Sequence, residues 1–128
     1  MDLAAHDLEQ LATHLIAQAE ADPTGRAVQH VDLGHDTLRV MAIGFATGGA
    51  LPEHDNPGEA VLQVLRGSLT LINDAVKPDA AAPEEPRVIE AKTGWLVRIP
   101  DARHHVEALE PSAMLLTQLP RNPPTPPA

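Results

Sequence analysis

Apolar positions near the start of the chain recur at steps of three and four: Leu8, Leu11, Leu15 and Ala19, with Ala4, Ala12 and Ile16 widening the stripe. The pattern predicts an amphipathic helix over Asp2–Ala21, capped by Asp2 or Asp7 and stopped by Asp22-Pro23-Thr24-Gly25. His6, Gln10, His14 and Gln18 follow one another on its polar side, and we read the two histidines as a solvated face. From Ala27 onward the apolar residues fall in short runs bounded by Gly, Pro, Asn and Asp, which predicts strands. The candidate strands are Ala27–Leu33, Thr37–Ala46, Ala60–Leu65, Ser68–Asn73, Arg87–Ala91, Trp95–Ile99, His105–Leu109 and Ala113–Leu119. Their connections are too short for crossover helices, so the pairing is antiparallel and the fold class all-β, a barrel or jelly roll behind an N-terminal helix.

At 128 residues the chain holds one compact core. We divide it into a helical segment 1–26, a barrel 27–119 and a tail 120–128 with five prolines, expected to be extended or disordered. Asp74–Pro86, rich in Ala, Pro and acid, reads as a mobile surface loop. The core is aliphatic, since there is one Phe, one Trp and no Tyr. Eighteen acidic against nine basic residues give a formal charge of −9 with no basic cluster, which argues against nucleic acid and membrane surfaces as partners. The lack of cysteine removes disulfides, zinc ribbons and thiol chemistry. Residues 1–20 lack the basic start and continuous apolar middle of a signal peptide, and no run is long enough to span a bilayer, so the expected location is cytoplasmic.

Two segments carry more specific information. The first runs Gly49-Ala-Leu-Pro-Glu-His-Asp-Asn-Pro-Gly-Glu-Ala-Val-Leu-Gln-Val-Leu-Arg-Gly67, the second Gly94-Trp-Leu-Val-Arg-Ile-Pro100-Asp-Ala-Arg-His-His105. They resemble, in order, the two motifs of the cupins, through Gly49, His54, Gly67, Gly94 and Pro100. The resemblance covers roughly Ala27–Leu119 and implies a small antiparallel jelly-roll barrel. Members of that family often bind a divalent metal or a small organic acid inside and often form homodimers. Both motifs are degenerate here. With Gly67 aligned, His54 takes the first histidine position, Asn56 replaces the second, and Ala60 replaces the glutamate, with Glu59 one residue short. In the second motif Ala102 replaces a glycine and Leu109 an asparagine, while His105 has the family spacing from Pro100.

Strand parity provides a separate reading, because alternate side chains face opposite sides of a sheet. Ala60, Leu62 and Val64 form one apolar set, which turns Glu59 outward unless a bulge near Pro57-Gly58 rotates it. Val106 and Ala108 share a face with His104, and Glu107 shares one with His105, so parity points His104 inward where family spacing selects His105. Arg39 and Arg98 interrupt apolar strands. Each either binds a carboxylate inside or lies on the outer face, free to pair with Glu90 or Glu107. Trp95 is read as a packing or interface anchor.

These observations leave three functions open. The first is a module that binds a small organic ligand in the barrel interior, with His54, Asn56 and His104 at the polar end of an apolar pocket and no assignable catalysis. The second is a mononuclear metal-dependent enzyme of oxygenase or isomerase type. There His54, Glu59 and His104 (or His105) would hold Fe, Mn, Zn or Ni, the imidazoles and carboxylate leaving positions open for substrate. The third is a structural dimer with a filled interior. The Glu59/Ala60 register separates the first two, and a cavity separates both from the third.

Overall fold

The computed structural model describes residues 3–54, 58–78, 86–100 and 102–120. Among the described residues one helix, α1 (Leu8–Ala21), precedes nine strands: β1 (Arg26–His30), β2 (Arg39–Phe45), β3 (Ala50–His54), β4 (Gly58–Arg66), β5 (Ser68–Asn73), β6 (Val88–Lys92), β7 (Leu96–Arg98), β8 (His104–Ala108) and β9 (Ser112–Pro120). The helix starts six residues later than the periodicity suggests, because Asp7 is its cap: the carboxylate accepts from the amides of Glu9 and Gln10 at 3.1 and 3.2 Å. At its far end Asp22 accepts from both the amide and the hydroxyl of Thr24, which hold its carboxyl below the usual carboxylate range.

The strands form two antiparallel sheets, one in the order β1-β2-β9-β4-β7 and the other β3-β8-β5-β6. All eight strands predicted from the sequence are present, Ser68–Asn73 at its predicted bounds and the others with shifted ends. The expected barrel is not closed, since no hydrogen-bonded ladder joins the two sheets among the described residues. They pack face to face around one aliphatic core that includes Phe45, Leu62, Val64 and Met114 from the larger sheet and Leu69, Leu71 and Val106 from the smaller.

Strand β3 is the element that the sequence reading lacks. Its Pro52 and its polar residues mask it, and it is tolerated because β3 is an edge strand of its sheet. The helix lies on the outer face of the larger sheet, burying Ala12, Leu15, Ile16 and Ala19 against β2 and β9 residues such as Ala42 and Ala113. Its approach depends on Gly44: a Cβ there would fall 2.4 Å from the carbonyl carbon and oxygen of Leu15. His14, on the polar side of the helix, and His6, which precedes the helix, are both exposed, and His6 Nε2 lies 2.9 Å from the Asp32 carbonyl oxygen. Among the described residues no helix is long and apolar enough to cross a membrane. Residues 121–128 of the Pro-rich tail lie outside the described residues.

Candidate functional site

A cavity of about 600 Å³ opens at one end of the sandwich. Its walls come from β5 (Leu71, Asn73), the following turn (Ala75, Val76), β6 and its approach (Arg87, Ile89) and the ends of β7 and β8 (Arg98, His104). Strand pairing explains why these residues converge. Leu71 stands opposite Val106 and Ile89, and Asn73 stands opposite His104, so alternate positions of three adjacent strands share the inner face. The lining is mainly apolar with a few polar groups, the usual composition of a small-molecule pocket.

His104 is the deeply buried polar group of this wall, with 3% of its surface exposed. Its Nδ1 lies 2.8 Å from the Ala102 carbonyl oxygen, which can only accept, so Nδ1 carries a proton and donates it there. Its neighbour His105 is on the opposite face of β8, with Nδ1 2.7 Å from Asp74 Oδ2 and Nε2 3.5 Å from Glu107 Oε1. The structure therefore places the two histidines as strand parity does and not as family spacing does.

The remaining candidates are distributed unevenly. His54 stands opposite His104 in the β3–β8 register, across a shift in pairing between Leu51 and His54. Asn56 lies outside the described residues. Ala60 is buried in the core while Glu59 is exposed on the other face of β4, where it pairs in register with Leu119 of β9. The only irregularity in that ladder falls between Val64 and Arg66, too far along to turn Glu59 inward. The Glu59 carboxylate and His104 thus do not meet. Among the described residues no three His, Cys, Asp or Glu side chains converge as metal donors. Of the donors that the resemblance implies, Glu59 therefore faces away from His104.

Two residues of the cavity wall have no counterpart in the sequence-based site. Asn73 reads from sequence as the last residue of a strand, and its side chain accepts from the Ala75 amide at 3.0 Å. Arg87 reads as the start of a strand beside an acidic, Pro-rich run, yet its Nε donates to the Val76 carbonyl at 2.9 Å and its own carbonyl accepts from the Asn73 amide at 2.8 Å. The described part of the segment expected to be a mobile loop is accordingly anchored, since the Asp74 amide also donates to the Arg103 carbonyl. Residues 79–85 of that segment lie outside the described residues. Arg98, singled out from the sequence, contributes to the cavity as an exposed residue, whereas Arg39 is exposed and does not line it. Glu53 pairs with Arg103 on the surface.

No family model and no curated protein sequence matches the chain. Solved structures do. An RmlC-like cupin protein from Desulfovibrio desulfuricans is 25% identical at a TM-score of 0.59, over 75% of this chain and 83% of that one. A cupin superfamily protein from Desulfitobacterium hafniense is 16% identical at a TM-score of 0.62, over 94% and 96%. A salicylate 1,2-dioxygenase from Pseudaminobacter salicylatoxidans is 13% identical at a TM-score of 0.64, over 84% of this chain and 32% of that one. The protein has a cupin fold. The dioxygenase shares that fold with this chain, and at such identity the likeness extends no further.

Proposed function

We propose that the protein is a binding module that takes a small organic ligand into the cavity beside His104. The observation that carries this reading is a buried imidazole, held through Nδ1 by the Ala102 carbonyl, in the wall of an otherwise largely apolar cavity of about 600 Å³. A structural protein with a filled interior has no need of that cavity. The outward Glu59 and the alanine at the carboxylate position favour binding over the metal-dependent alternative. On this reading the two sheets are the halves of a jelly roll whose open end admits the ligand. We further propose a homodimer in which a second copy covers Val61, Leu96 and Leu119, which are exposed on the outer face of β4, β7 and β9 beside the helix.

The test is a titration of ¹⁵N-labelled protein with a panel of small neutral amides, from acetamide through hexanamide to benzamide, followed by amide chemical shifts. Saturable changes confined to Leu71, Asn73, Val76, Ile89 and His104 are expected. Changes scattered over the surface, or none with any member or with its carboxylate analogue, would overturn the proposal.

A further inference from the structure

We infer that the ligand of this cavity is an anion, a monocarboxylate with an apolar body, and that Arg87 is the residue that holds its carboxylate. The inference rests on the cavity being a binding site, as proposed above.

The starting point is a contrast in charge. The chain carries eighteen acidic residues against nine basic ones, yet the described lining of the cavity contains two arginines, Arg87 and Arg98, and no Asp or Glu. Other cations of the fold have clear structural work. Arg26 donates to the Ala50 carbonyl, Arg66 reaches the Thr13 hydroxyl, and Arg103 pairs with Glu53. Arg87 instead stands in the cavity wall, and among the described residues no carboxylate lies within ion-pair distance of it or of Arg98. Arg87 is half-buried, and among the described residues its side chain regains one hydrogen bond, from Nε to the Val76 carbonyl, for the hydration lost.

The local geometry suits it to receive a planar anion. A guanidinium offers five N–H donors in a rigid fork, and among the described residues only Nε–H of Arg87 is committed, to the Val76 carbonyl. That bond and the backbone bond from Asn73 fix the group before any ligand arrives, so little side-chain freedom is lost on binding. The Nη edge can take both oxygens of one carboxylate in the bidentate arrangement. The walls around it supply Leu71, Val76 and Ile89, which fit an aliphatic or aromatic body and offer nothing to a second anionic group. Arg98, exposed at the rim, adds positive potential along the approach.

The experiment compares matched pairs that differ only in charge: hexanoate with hexanamide, cyclohexanecarboxylate with its amide, and benzoate with benzamide, each titrated into the full chain near neutral pH. In the parent the carboxylate of at least one pair is expected to bind about tenfold tighter than its amide. In Arg87→Gln that preference is expected to vanish, while the backbone amide shifts of Leu71, Ile89 and His104 in the unliganded variant stay near parental values and show that the cavity is intact. Arg87→Lys, which retains the charge but not the fork, should keep part of the preference. Carboxylates that bind no better than amides in the parent, or an unchanged preference in Arg87→Gln, would overturn the inference and leave the cavity's role as a binding site standing. If neither class binds in the cavity, the proposed function fails as well.

Discussion

His104 and His105 share a backbone segment, and their environments are set by the pleat of β8 alone. One is buried in a cavity wall against the Ala102 carbonyl, and the other lies on the outer face between Asp74 and Glu107. That distinction was legible in the sequence, because Val106, Ala108 and Glu107 mark the two faces of the strand. The same logic placed Ala60 in and Glu59 out. Arg87 and Asn73 were not legible, because each stands at a strand end where alternation has no run to act on and where only the pairing of β5 with β6 decides the face. His105 has a structural duty in consequence: it holds Asp74, the first residue of the turn that supplies Ala75 and Val76 to the cavity wall. His105→Ala is expected to cost about 1 kcal/mol, the ordinary worth of a partly buried hydrogen bond, measured by urea denaturation. Unchanged stability would mean that the turn is held by its backbone bonds alone.

Among the elements, helix and strands were found from periodicity where burial is one-sided, and missed or misjudged where it is not. Strand β3 runs along a sheet edge with Pro52 in it, so it carries neither the alternation nor the propensity of its neighbours. The apolar stripe overstates the helix because Ala4 extends it, whereas Asp7 satisfies the first free amides and fixes the start. How closely the helix sits on the sheet was invisible in the sequence, since it depends on the missing side chain of Gly44 at its contact with Leu15. Gly44→Ala is therefore expected to destabilise the protein by about 1–3 kcal/mol, because the added methyl meets helix backbone that can only yield by moving the helix. Thermal denaturation reads this directly, and a variant as stable as the parent would mean that the helix is loosely seated.

At the level of the assembled chain, the cupin motifs and turn spacing point to an antiparallel barrel or jelly roll, and the structure has two packed antiparallel sheets. The open join between them and the position of the cavity came only with the pairing order. That order also leaves β7, three residues long, at an edge beside an exposed apolar strip in which Leu96 retains 67% of its accessible surface. If a second copy covers this strip, Leu96→Glu should convert the dimer to a folded monomer in sedimentation velocity, because charge placed in such an interface is left without a partner. A dimer that persists in this variant would locate the contact elsewhere.

The role assigned to the cavity is best judged by filling it. Ile89 lines it from β6, half-buried and opposite Leu71 in register, so a tryptophan there would occupy ligand space from a position on regular strand. The measurement is the affinity of the tightest-binding member of the carboxylate and amide panel for Ile89→Trp and for the parent, with denaturation midpoints recorded alongside. Binding reduced at least about tenfold in a variant that still folds cooperatively is the expected result. Parental affinity in the blocked variant would contradict the account, since the ligand would then be bound somewhere other than beside His104.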